Sequence, residues 1–276
     1  MKKLKFGAVG LGRLGMKHAE NIAFKTPGAE LFAVCSPIES EIKSASDKLG
    51  AKYGYTDFTQ MLENKELDGI CITSPSPYHC PQLEEALNAG LHVFCEKPLG
   101  INLEECKKAE SIVKKHNDKV FMLGFMRRYD PSYSYAKKMI EEGKIGKPFL
   151  VRATSLDPDS LVEGAIRFAP TSGGIFLDMA IHDIDLARWF LGSPKAKSVY
   201  ALGGSYKHKE FSECGDYDNA CSMMQFEDNS MAMFYAGRTT AHGYHIETEI
   251  VGTKGTLRIG NIPEKNKVMI FNDNGA

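Results

Sequence analysis

Gly10-Leu11-Gly12-Arg13-Leu14-Gly15 follows the apolar run Leu4 to Val9 and opens a helical stretch, Met16 to Phe24. A lone G-x-G-x-x-G can be any glycine-rich turn. With a strand before it and a helix after it, its purpose narrows. Gly10 and Gly12 let the backbone turn and approach a pyrophosphate, and Gly15 lets helix and strand pack closely. The pyrophosphate would rest on the helix N-terminus, where backbone N–H groups and the helix dipole favour negative charge. The opening of the chain therefore reads as a dinucleotide-binding βαβ unit.

The alternation continues. Strands are predicted at 30–35, 68–73, 91–95 and 119–125, and helices at 39–49, 58–64 (capped by Asp57), 78–89 and 102–116. Elements of these lengths in this order predict a parallel sheet with right-handed crossovers. The loops at the carboxyl ends of its strands should line the cofactor cleft, which nominates Ser36, Ser74, Pro75, His79, Glu96 and Lys97 beside the glycine motif. The second strand ends in Cys35-Ser36-Pro37, with no acid until Glu39. An NAD site usually has Asp or Glu there for the ribose 2′-hydroxyl. Its absence, with Arg13 nearby, leaves NAD and NADP both open and leans the expectation toward NADP.

Past Arg128 the texture changes. A helix at 131–142 and a turn at 143–148 precede the stretch Ser172 to Gly192, which reads as one helix opened by Ser-Gly-Gly. On a helical wheel Asp178, His182, Asp185 and Trp189 share one narrow stripe, and most of the remaining circumference is apolar. Buried carboxylates and imidazoles are costly unless paired or facing a wet cleft. The stripe is therefore read as an active-site wall, with Asp178 and His182 as an acid–base pair. Strands follow at 197–206, 219–226, 230–240, 243–251 and 256–259, several alternating apolar and polar residues as in an antiparallel sheet with one open face. The expected architecture is α/β: an N-terminal Rossmann domain over 1–124 and a C-terminal α+β domain over 125–276 with a large, mostly antiparallel open sheet.

The bulk composition excludes several classes. A net charge of −1 gives no electrostatic reason for a nucleic-acid or anionic-membrane partner, and no apolar run is long enough to span a bilayer. The start of the chain lacks a signal-peptide core, and seven scattered Cys without a Cys-x-x-Cys suggest reduced thiols; the expected location is cytoplasmic. Cys35, Cys71, Cys95 and Cys221 sit in strand-like runs and are read as packing residues. His79 with Cys80, or His182 with Asp183 and Asp185, lacks closed ligand spacing, so no metal is expected.

Three further segments, Phe94-Cys-Glu96-Lys97-Pro98, Gly124-Phe-Met-Arg127-Arg128-Tyr129-Asp130 and Gly173 to Trp189, make the chain resemble the Gfo/Idh/MocA oxidoreductases along essentially its whole length. The resemblance implies an NAD(P)-dependent dehydrogenase acting on CH–OH groups of a cyclic polyol (an inositol) or a related sugar. It implies that Lys97 is the catalytic lysine beside Asp178 and His182, that Arg127 and Asp185 line the substrate pocket with Asp157, and that subunits pair into dimers or tetramers. His182 is then the base for the hydroxyl proton, while Lys97 stabilises the developing alkoxide. Ser155 stands where inositol dehydrogenases can carry a histidine, which leaves the polyol open. Family members usually continue past the Asn272–Ala276 end, so a shortened C-terminus is expected. Aldose oxidation, an internal-redox glycosidase and a non-catalytic NAD(P) sensor remain alternatives.

Overall fold

The computed structural model describes residues 2–260. The expectation about the C-terminal end lies outside them. The chain divides into two compact units, Met1–Gly124 and Phe125–Ala276.

In the first unit β1 (Leu4–Val9), β2 (Ala29–Cys35), β3 (Tyr53–Tyr55), β4 (Gly69–Ile72), β5 (His92–Cys95) and β6 (Phe121–Leu123) form one sheet. Its order is β3-β2-β1-β4-β5-β6 and every pairing is parallel. The order reverses between β1 and β4, and in such sheets the ligand crevice opens at that switch point, outside the carboxyl ends. Both faces are covered, which is why β4 reads Gly-Ile-Cys-Ile with every residue buried. On one face α1 (Arg13–Glu20) and α2 (Glu39–Leu49) bring Ala19 and Ala45 against Ala8, Leu31 and Val34. On the other, α3 (Phe58–Leu62), α4 (His79–Asn88) and α5 (Leu103–Lys115) bring Met61, Leu83, Leu87 and Ile112 against Val9, Ile70, Ile72 and Val93. Each fully buried aliphatic chain of this kind stabilises the unit by about 1.5–3 kcal/mol. Asp57 and Asn102 cap α3 and α5 by accepting from Gln60 N–H and Glu105 N–H.

The second unit is built on another six-stranded sheet, in order β12-β11-β7-β10-β9-β8. Its strands are β7 (Pro148–Pro158), β8 (Ala196–Gly204), β9 (Asn219–Phe226), β10 (Met231–Thr240), β11 (His245–Gly252) and β12 (Gly255–Ile259). Four of the five pairings are antiparallel; β7 with β10 is parallel. Helix α6 (Pro131–Glu141) precedes β7, and α7 (Val162–Ser172) and α8 (Ile181–Phe190) follow it. Leu186, Ala187 and Phe190 of α8 pack on Val151, Ala153 and Phe234, which closes one face of the sheet. On the opposite face Tyr200, Met223 and Met233 stand side by side across three strands, each at least 41% exposed. A groove of about 460 Å³ runs along that face.

The structure departs from two expectations. The stretch from Ser172 to Gly192 is not one helix. Ser172 ends α7, which the sequence reading did not find, and Gly173 closes it at φ 80°. The chain restarts at Ile175, whose N–H is capped by Asp216 at 2.8 Å, and runs through a π-helical turn, Phe176–Ala180, into α8. That widened turn breaks the regular 3.6-residue phasing between Asp178 and His182; such turns recur at functional sites. Cys221 does not pack inward: it is exposed on the open sheet face, while Cys35, Cys71 and Cys95 are buried. Burial pushes the Cys71 thiol up to about 12, the mark of an inert packing residue.

Candidate active site

In the first unit the glycine motif behaves as its spacing requires. A Cβ on Gly15 would lie 1.8 Å from the Gly10 carbonyl oxygen, and one on Gly10, where φ is 82°, would lie 2.5 Å from the Ser74 amide nitrogen. Only glycine fits at either position. A Cβ on Gly12 would meet nothing within 4 Å, so the backbone there is open to close approach by a ligand. Helix α1 begins directly after it, with no side-chain cap and no acid in its first turn. The motif therefore fits a pyrophosphate on grounds of both sterics and charge. Leu11 is buried in the core, Leu14 is half exposed, and Arg13 lines a shallow groove with Lys17 and Lys48.

Several of the other side chains nominated for the cofactor brace the loops at the strand ends. His79 is 2% exposed, and its ring nitrogens lie 2.7 Å from the carbonyl oxygens of Ser74 and Pro98. It ties the β4 loop to the β5 loop. The Ser74 hydroxyl meets Gln82 at 2.5 Å, and Pro75 leads the short turn Ser76–Tyr78. Glu96 accepts from the Lys97 N–H at 3.1 Å and bonds the His18 ring at 2.8 Å. His18 reaches it from α1, so the helix that starts at the glycine motif also fixes the backbone that presents Lys97. Lys97 itself is half-buried.

In the second unit the polar groups gather on the helix-covered side of the sheet. Arg127 bonds Asp183 at 2.5 Å and the Ser155 hydroxyl at 3.0 Å. Asp183 is 1% exposed, and burial pushes its carboxyl up from the usual range while the Arg127 charge opposes the shift. Arg128 holds Asp185 in a two-pronged pair at 2.7 and 2.5 Å, so Asp185 and Arg127 have different partners. Asp157, half-buried near the end of β7, accepts the Thr240 hydroxyl on its carbonyl oxygen. Asp178 lies on the π-helical turn, with its carboxylate 3.0 Å from Arg238 of β10. Arg238 is 1% exposed and also pairs with Asp216 at 2.7 Å. His182 is buried, its ring edge-on to Phe125 at 6.3 Å. Among the described residues no group of three or more His, Cys, Asp or Glu is placed to hold a metal ion.

Arg238 and Asp216 were not expected at the site, and Asp183 was weighed only as a metal ligand. For Asp183 the signal was its place on α8 directly after His182 and two residues before Asp185. For Arg238 the signal was a lone cation inside an apolar strand. Asp216 lies in a loop, and its sequence surroundings carry none.

A parallel sheet of this strand order with its glycine turn is the arrangement of a dinucleotide-binding domain, and the α+β unit after it carries a buried polar wall. Two family profiles match the chain: the oxidoreductase family with an NAD-binding Rossmann fold over residues 4–125, and the GFO/IDH/MocA C-terminal domain over 133–258. The scyllo-inositol 2-dehydrogenase (NAD(+)) of Bacillus subtilis is 34% identical over 97% of this chain and 77% of its own length. The myo-inositol 2-dehydrogenase of Thermotoga maritima is 33% identical over 96% and 78%. The solved scyllo-inositol dehydrogenase of Lactobacillus casei, with bound NAD(H) and scyllo-inositol, superposes with a TM-score of 0.89 at 45% identity, covering 99% of this chain and 81% of that one. The chain belongs to the Gfo/Idh/MocA family of oxidoreductases, and its first unit is an NAD-binding Rossmann domain.

Proposed function

We propose that this protein is an inositol dehydrogenase, removing hydride from one secondary carbinol of a cyclic polyol. The observation that carries the reading is the pairing of Asp178 with the buried Arg238 on the turn that leads into His182. Asp178 on this turn and the buried His182 on the helix that follows it supply the carboxylate and the imidazole that removal of a hydroxyl proton calls for. Bound NAD supplies the hydride acceptor, held by the backbone at Gly10 to Gly15. His182 takes the hydroxyl proton. Lys97 brings a cation to the oxygen as its charge develops, and Asp178 orients the hydroxyl or the imidazole. Arg127, fixed by Asp183 and Ser155, and Asp157 offer polar contacts to the remaining ring hydroxyls, and Asp185 adds to them from its pair with Arg128. The relatives named as inositol dehydrogenases, one solved with scyllo-inositol, support the substrate class.

The test is NAD reduction with scyllo-inositol, myo-inositol and aldoses. The inositols should lead in kcat/KM by at least roughly ten-fold, the discrimination that one misplaced buried hydrogen bond brings. Preference for an aldose would shift the substrate class. Glycoside cleavage without added NAD would favour the internal-redox reading, and binding of NAD without turnover of any substrate would favour a sensor.

The open sheet face belongs to the same proposal. Tyr200, Leu202, Met223, Met233 and Tyr235 make a contiguous apolar patch, and soluble proteins rarely leave one uncovered. A second copy of the chain covering it gives a homo-oligomer, a dimer or tetramer. Light scattering at micromolar concentration should return a multiple of the chain mass. Tyr200→Glu with Met223→Lys should reduce it to the single chain, and a monomeric wild type would refute the assembly.

A further inference from the structure

The end of β2 is where the sequence lacks the expected acid, and the structure supplies one from elsewhere. Ser36, the first residue after β2, is 2% exposed. Its hydroxyl accepts from the Ile38 N–H at 3.1 Å and donates to the Glu41 carboxylate at 2.5 Å. Glu41 is the third residue of α2, so the short loop folds the first turn of that helix back onto the strand end. A carboxylate offers about four acceptor sites, and Ser36 uses one. The Cys35 carbonyl at this strand end also accepts the Gly10 N–H at 2.9 Å, which ties it to the pyrophosphate turn.

We propose that Glu41, held by the buried Ser36 hydroxyl, reads the adenosine ribose and makes the chain select NAD over NADP. In a sheet of this order an acid at the end of the second strand accepts from the ribose 2′-hydroxyl, and its charge repels a 2′-phosphate. Glu41 takes that role from five residues further along. Asp57 adds to the negative field: burial and then the Asp57 charge push the Cys35 thiol up to about 11. Arg13 is the competing cation. It shares its groove with Lys17, Glu20 and Lys48 rather than being fixed at the strand end, so the clamped carboxylate decides the selection.

The inference rests on the NAD-binding domain and not on the polyol reading, so binding alone tests it. NADH and NADPH are titrated calorimetrically into the full chain without substrate. Wild type should bind NADH about 100-fold more tightly than NADPH, the size of a charge-assisted hydrogen bond together with like-charge repulsion. Glu41→Gln should weaken NADH by about ten-fold and tighten NADPH, closing most of the gap. Ser36→Ala should move both affinities in the same directions by less. Glu39→Gln, an exposed charge in the same first turn, should leave the ratio unchanged. Equal affinity of wild type for the two cofactors overturns the proposal. So does a Glu41→Gln protein whose melting temperature falls while the ratio stays fixed, and if that variant does not fold, an unchanged ratio in Ser36→Ala does the same.

Discussion

His182→Ala in the full chain should lower kcat with scyllo-inositol by about 10²–10⁴-fold, the range for losing one proton-transfer group. Lys97→Ala and Asp178→Asn should fall in the same range. NADH affinity should change little in all three, because the backbone at Gly10 to Gly15 holds the pyrophosphate. Double variants should fall well short of the product of the singles, as residues acting as a unit do. Near-wild-type turnover in His182→Ala would transfer the role of base to Lys97.

Arg238→Met should be the most destabilising single substitution in the second unit. It leaves Asp216, 4% exposed, and Asp178 without the guanidinium they share. Removing one member of a buried ionic set costs about 3–5 kcal/mol, because the remaining charge stays buried and unpaired. For a unit of this size that is a fall in melting temperature of roughly 6–20 °C. Asp216 also caps Ile175, so the restart of the helix carrying Asp178 and His182 loosens with it. Turnover should drop beyond what the folded fraction explains. Arg238→Lys should recover part of the stability, since one ammonium can serve one carboxylate but not bridge two with fixed geometry. Differential scanning fluorimetry with kcat measured well below the transition separates the two effects. A melting temperature within 2 °C of wild type would show that the two carboxylates do not depend on Arg238.

The first unit was legible because its physics is local. Strands covered on both faces read as apolar runs, and helices between them end at Gly50 and Gly90 or begin at Asp57 and Asn102. The short strand Tyr53–Tyr55 escaped because three residues carry no period. In the second unit most of β7 was not marked as a strand: Arg152, paired to Glu249, and Thr154 take the outward positions between the buried Val151, Ala153 and Ser155, so the apolar signal is short. The helix restart at Ile175 was invisible because its cap comes from Asp216, 41 residues away in sequence. No wheel drawn at a fixed 3.6-residue period can show the π-helical turn that carries Asp178. At the ribose end, Ser36 signalled an absence. The carboxylate bonded to it lies five residues downstream, where only the folded loop brings it back. The candidate acid–base residues were named from the sequence; the side chains that hold them were not, because those contacts join segments far apart in sequence.

Hydride transfer from an inositol carbinol to NAD is the step on which the proposed function turns. It is tested most directly with scyllo-inositol deuterated at its ring carbons, by mass spectrometry of the reduced cofactor. The NADH formed should carry deuterium, appear more slowly than from unlabelled scyllo-inositol, and be absent in His182→Ala over the same interval. Reduced cofactor without deuterium, or no reduction by any inositol under conditions where an aldose is oxidised, would contradict it.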